Sequence, residues 1–322
     1  MTQHITKSDW FGPFVVSVAA IIVVGILKPS FLTPFNIQIL LLAISVNALV
    51  AFAQMVIIGI GQMNLSVGAI GGLAAISFAG MMEVWGLPWP IAAMLALAVG
   101  LLAGVLNGAL VALTGVSAFV ITLATLSVFK GINLGITEAQ PFYEIPEAVK
   151  WIGNASLFGT IPLLFFPFAI TAIALWYFLF RLPLGRTILA VGGNSHAAEL
   201  SGISVPKAEI VAHAISGVLA AMAGIMLVAR LELGQPSIGD DWLILSFAAP
   251  VIGGALLTGG RISVAGTCCG VVIIAIITQV LVLFNIDPFL VQVVLGLLIL
   301  WAVGVNRLRE IRGQRHVPGG AA

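Results

Sequence analysis

Apolar residues in this chain come in long unbroken runs, separated by short polar or proline-containing breaks. A membrane helix needs about 20 such residues. On that measure the runs predict ten spans, at 11–27, 36–60, 64–82, 88–113, 117–135, 161–180, 208–231, 243–258, 264–284 and 288–305. The runs do not alternate with period two, so helices are expected rather than a barrel. Pro29 and Pro34 separate the first two, Pro88 and Pro90 open the fourth, Pro162 the sixth and Pro288 the tenth. The eighth is short and ends in Gly253, Gly254, Gly259 and Gly260, which allows it to be half a span.

Composition agrees with this pattern. Of 322 residues, 61% are hydrophobic and 8% charged, with a mean hydropathy of +1.19. Soluble domains carry about 25% charge. Too few charges remain to coat a soluble surface, which excludes a soluble enzyme, a disordered chain and a nucleic-acid binder. The expected fold is a single all-α, polytopic membrane domain over 1–322. The run 14–27 resembles a signal peptide, but no small-residue cleavage site precedes Lys28-Pro29, so an uncleaved first span is expected. The two cysteines, Cys268 and Cys269, are adjacent in an apolar run and read as small buried thiols.

Basic residues set the orientation. With both termini in the cytoplasm, nine of the thirteen fall inside: Lys7, Arg181, Arg186, Lys207, Arg261, Arg307, Arg309, Arg312 and Arg315. Trp10, Trp85, Trp89, Trp176, Trp242 and Trp301 lie near span ends, as an aromatic belt would. Two connections are long, an external one at 136–160 and an internal one at 181–207. Two short echoes hint at duplication with different offsets: Asn64–Gly68 with Arg261–Ala265, and Gly115–Val120 with Asn285–Leu290.

No phosphate-binding loop, H-E-x-x-H or G-x-S-x-G occurs, and His4, His196, His213 and His316 are scattered. No acid can be placed at a span centre, although ion-coupled carriers usually need one. Energy is therefore expected to come from elsewhere. What the spans do contain is neutral polarity, at Asn47, Gln54, Gln62, Asn64, Ser66, Asn107, Thr122, Thr125 and Asn133. Such groups either line a path for an uncharged, hydroxyl-rich solute or tie helices together.

Two segments stand out. The run 59–68 interrupts an apolar stretch and can start a helix with Asn64 or Ser66 as the cap, either at a cavity or as a tight cytoplasmic turn. In 181–207, Asn194 or Ser195 can cap a short helix through Ala197, Ala198, Glu199 and Leu200; Gly202 stops it, and Ile203 is left for an apolar contact. Alone, so short a helix is unstable. Packed into a groove on a soluble partner, it could transmit force.

These segments carry a family resemblance. Val191–Val205, Ser216-Gly217 and Ala223–Ile225, with Leu65–Gly68, Ala118–Leu123, Val251–Gly254 and Gly259–Arg261 in the same order, resemble the permease subunits of bacterial monosaccharide ABC importers of the ribose type. The resemblance covers about 40–305. It implies a bacterial inner-membrane protein in which two permease chains, identical or close paralogues, form the pore. A cytoplasmic ABC ATPase supplies the Walker motifs and holds ATP and Mg, and a periplasmic binding protein delivers the sugar. This chain would hold no cofactor and catalyse nothing. The segment Asn194, Ser195, His196, Ala197, Ala198, Glu199, Leu200, Ser201, Gly202, Ile203 resembles the family's coupling helix. A pathway through Asn47, Gln54, Asn64, Ser66, Asn107, Phe119, Thr122 and Thr125 is expected. The family's Gly-Gly-Ile-Asp-Leu-Ser-Val-Gly reads Gly-Gln-Met-Asn-Leu-Ser-Val-Gly over 61–68, with Asn64 in place of the acid. The alternatives are a self-sufficient carrier or channel, a membrane enzyme, and an exporter.

Overall fold

The computed structural model describes residues 10–287 without a break, and beyond them 290, 292–294, 296, 297, 300 and 304. The expected tenth span falls largely outside these residues. So do both termini, Lys7 and the C-terminal arginines used for orientation.

Helices form where the apolar runs predict them: α1 (Phe11–Leu27), a 3-10 turn at Pro29–Leu32, α2 (Pro34–Gly59), α3 (Val67–Glu83), α4 (Trp89–Thr114) and α5 (Ala118–Thr137). Then come α6 (Glu147–Asn154), the strands β1 (Ser156–Leu157) and β2 (Ile161–Pro162), and the helices α7 (Phe165–Arg181), α8 (Pro183–Gly193) and α9 (Ser195–Leu200). α10 (Val205–Leu231), α11 (Trp242–Ile252) and α12 (Val264–Leu283) follow. Proline occupies the first turn of α2, α4, α8 and α10, where its missing N–H costs nothing.

The spans are less uniform than expected. α2, α4, α5, α10 and α12 are each long and apolar enough to cross a membrane, and α7 with α8 forms a sixth unit bent by 70°. α1 and α3 have 17 residues and α11 only 11. At 1.5 Å per residue α11 covers about half of a bilayer core. The internal connection is not a loop with one short helix. Residues 183–193 form α8, because Leu184, Ile188 and Val191 recur at helical spacing, and Ile188 and Val191 are buried. The external connection holds α6 and a hairpin pairing Ser156 with Pro162, so the sixth span begins at Phe165 and not at 161. On α6, Lys150 Nζ donates to Glu147 Oε1 over 2.9 Å, and this bond raises the Lys150 pKa above its ordinary value.

α2 is buried continuously from Ala48 to its end, as suits a helix that is apolar on every side. α10 packs against α2, α3, α4 and α6. Its contact with α4 uses Gly100, Gly104 and Gly108, four residues apart. A Cβ on Gly104 would overlap the His213 carbonyl, and one on Gly217 would overlap the Gly100 carbonyl. Small residues let the backbones approach this closely, the usual way helices associate in lipid. The first sequence echo has a counterpart in space. Ser66 starts α3 and Ser263 starts α12, and the glycine turns before them touch, with Gly61 against Thr258 and Gly259. The second echo includes Pro288 and Phe289, outside the described residues.

Candidate functional site

α2 ends with Gly61 N–H donating to Ile58 O (2.9 Å) and Gln62 N–H to Ile57 O (3.0 Å). Gly61, at φ +80°, then turns the chain inward. Asn64 Oδ1 accepts from Ser66 N (2.9 Å) and Ser66 Oγ (2.8 Å), and Asn64 Nδ2 donates to Ser216 Oγ (3.3 Å). With its amide oriented to satisfy both ends, Gln54 donates to the Asn64 carbonyl (2.9 Å) and accepts from the Asn64 N–H (3.2 Å). Asn107 Nδ2 donates to Ser66 Oγ (2.8 Å), and Thr122 Oγ1 accepts from Leu65 N (3.0 Å). The expected pathway residues Gln54, Asn64, Ser66, Asn107 and Thr122 thus meet at one turn, together with Ser216. All six are fully buried. They tie α2, α4, α5 and α10 to the start of α3, because buried polar groups must find partners. Ser66 takes the cap position of α3, but its hydroxyl serves Asn64 and Asn107 rather than the helix.

The remaining expected residues lie outside this cluster. Thr125 is buried one turn beyond Thr122 and donates to the Thr122 carbonyl at 3.4 Å. Asn47 is half-buried on α2, two turns before Gln54, and Phe119 is half-exposed.

A second polar chain adjoins the turn. Gln62 Nε2 donates to Glu209 Oε1 over 2.6 Å, and His213 Nε2 lies 3.0 Å from Gln62 Oε1. With Gln62 Nε2 turned to the carboxylate, its oxygen faces the ring, and an amide oxygen only accepts, which puts the imidazole hydrogen on Nε2. Among the described residues His213 Nδ1 is left as a buried acceptor without a partner, as is Asn107 Oδ1. Glu209, His213 and Ser216 were not among the expected site residues. Their spacing, i, i+4, i+7 along an apolar helix, was the available signal.

Gln62 and Glu209 also line a cavity of about 720 Å³ with Ser117, Phe119, His196 and Glu199. Among the described residues no Lys or Arg lines it. A smaller cavity of about 400 Å³ lies by the far end of α5, where Lys130 pairs with Asp240. Lys130 Nζ and Asn133 Nδ2 both donate to the Pro236 carbonyl, each at 3.1 Å.

α9 borders the larger cavity. Asn194 Oδ1 caps it by accepting from Ala197 N (2.9 Å). At its end Gly202 N donates to Glu199 O (2.9 Å) and Ile203 N to Ala198 O (3.0 Å). That pairing requires a left-handed residue, and Gly202 has φ +80°. Ala198 is buried and Ile203 half-buried, while Asn194, Ser195, His196, Ala197, Glu199, Leu200, Ser201 and Gly202 are exposed. Leu200 is 78% exposed. The helix is thus held from beneath by two side chains and presents the rest outward.

Residues 36–303 match the family described as the permease component of branched-chain amino acid transport systems. The chain is 37% identical to the ribose import permease protein of Bacillus subtilis over 93% of each chain. It is 34% identical to the D-allose transport system permease protein of Escherichia coli, over 93% of this chain and 92% of that one. Against the L-arabinose transport system permease protein of the same organism it is 32% identical, over 94% and 92%. No solved structure matches the chain. With that coverage and a body of apolar spanning helices, the chain belongs to the family of transport-system permease components, multi-pass membrane subunits that form the pore and carry out no catalysis.

Proposed function

We propose that this chain is the transmembrane subunit of an ATP-driven ABC importer of the bacterial inner membrane, with a monosaccharide or related polyol as solute. The observation that carries the solute class is the neutral buried cluster, which holds only amides and hydroxyls. The 720 Å³ cavity beside it carries carboxylates and, among the described residues, no Lys or Arg. An amino acid would bring a carboxylate in need of a cationic partner. A sugar asks only for donors and acceptors. The relatives named for ribose, allose and arabinose agree with this choice.

In this reading a cytoplasmic ABC ATPase, holding ATP and Mg, grips α9 and its flanks over 194–203. A periplasmic binding protein delivers the solute, and a second permease chain, identical or a close paralogue, completes the pore. ATP-driven closure of the ATPases moves α9 and switches the pore between its two faces. The pathway passes the cluster around Asn64, Ser66, Asn107 and Thr122.

The test is reconstitution in proteoliposomes with the ATPase and the binding protein. Uptake of a sugar such as ribose, dependent on ATP and on both partners, is expected, with leucine excluded. Sugar transport by the permease alone would overturn the ATP-driven reading, and leucine uptake would overturn the solute class.

A further inference from the structure

The cavity beside α9 has a composition that the buried cluster lacks. Its wall carries two carboxylates, Glu199 and Glu209, the imidazole of His196, the amide of Gln62, the hydroxyl of Ser117 and the ring of Phe119. At about 720 Å³ it falls within the range typical of small-molecule sites. Glu209 is held in place: Gln62 donates to one of its oxygens, and among the described residues no other donor reaches it. It therefore keeps acceptor capacity toward the cavity that it lines. Phe119 is half-exposed at the same wall, an apolar face that the described residues leave open.

We propose that this cavity is an inner solute station, where a neutral polyhydroxylated molecule rests its hydroxyls on Glu209, Glu199 and Gln62 and its C–H face on Phe119. The proposal rests on the function given above and adds a location and a selection rule. A carboxylate accepts from adjacent hydroxyls, an amide both donates and accepts, and an aromatic ring covers the apolar face of a sugar ring. With two acids against one histidine, His196, and no Lys or Arg among the described residues of the wall, the station disfavours a phosphorylated sugar. Gln62 joins the station to the interior, since its other amide atom accepts from His213. A solute hydroxyl that competes for Glu209 therefore disturbs the contact that fixes the turn before Asn64.

The experiment uses the permease–ATPase complex in nanodiscs, with Ser117→Cys as a reporter and the unsubstituted chain as background for Cys268 and Cys269. Ribose, D-allose and L-arabinose are the probes. At twice the dissociation constant, one of them should slow thiol labelling about threefold. Ribose 5-phosphate should give no protection. Glu209→Gln and Gln62→Ala should each remove most of the sugar effect. The station is refuted if none of the three sugars protects, or if protection survives Glu209→Gln. It is also refuted if binding of the ATPase alone accounts for the whole of the protection, because the cavity would then belong to the protein interface. ATP-dependent uptake by the unsubstituted complex, measured in parallel, tests the importer reading separately. Uptake without protection sinks only the station, and protection without uptake sinks only the importer.

Discussion

Asn107 and Ser66, 41 residues apart in sequence, meet in the protein interior, where the Asn107 amide donates to the Ser66 hydroxyl over 2.8 Å. The same hydroxyl donates to Asn64 Oδ1 over 2.8 Å. One serine thus joins α4 to the turn that begins α3. The contact is lopsided, because the other amide atom of Asn107 has no partner among the described residues.

That asymmetry separates two substitutions. Asn107→Leu removes one hydrogen bond together with one unpaired acceptor, so its cost should stay below about 1 kcal/mol. Asn64→Leu strips partners from Ser66 N, Ser66 Oγ and Ser216, and should cost more than about 2 kcal/mol. Thermal unfolding in detergent ranks the two. Equal losses would mean that the cluster is not organised around Asn64.

The α4–α10 contact predicts a difference between glycines. Gly104→Ala drives a methyl into the His213 carbonyl and should cost about 1–3 kcal/mol or more through overpacking. Gly131, on α5, has open space around it, so Gly131→Ala should be neutral or gain up to about 1 kcal/mol of helix propensity. Unfolding curves for both variants check this, and similar losses would refute the close-approach account.

At α9, Asn194→Ala removes the cap and should loosen the helix by about 1 kcal/mol. Gly202→Val places a branched side chain at φ +80° and adds about 1–2 kcal/mol of local strain. Both changes sit on an exposed element, so global melting should hardly move, while solute imported per ATP hydrolysed should fall. Normal coupling in both variants would remove α9 from the transmission of force.

Lys130 and Asp240 are partly exposed, with side chains 27% and 54% accessible. Exposed pairs contribute at most about 1 kcal/mol. Lys130→Met should therefore leave global stability nearly unchanged while raising hydrogen exchange across 232–241, because the Pro236 contact is lost with the charge. Unchanged exchange would show that Asn133 alone holds that segment.

Much of this architecture is legible in the amino-acid order. The ends of α4, α5, α10 and α12 follow the apolar runs closely, because lipid demands uninterrupted hydrogen-bonded helix. α9 could be read from Asn194 and Gly202, since capping and a left-handed stop are local chemistry. α8 was missed because Gly185, Gly192 and Gly193 look like loop residues. In space Gly185 and Gly192 are contact residues: a Cβ on Gly185 would strike the Phe178 carbonyl, and one on Gly192 the Gly59 carbonyl. α6 was hidden by Pro141 and Pro146, which precede it rather than break it.

The candidate site divides in the same way. Neutral polarity inside the spans, the missing phosphate loop and the cap at Asn194 are properties of residue type and spacing, and the sequence alone determined them. Which polar groups meet was a matter for the tertiary structure. Gln62 reaches Glu209 and His213 across about 150 residues, and Asn64 reaches Ser216 across 152. No local rule links such positions, because a side-chain hydrogen bond needs its partners within about 3 Å, and only the packing of α10 against α4 and the α2–α3 turn brings them there. A run of letters specifies which helices form and what they carry; the glycine contacts between helices decide which of those groups share a site.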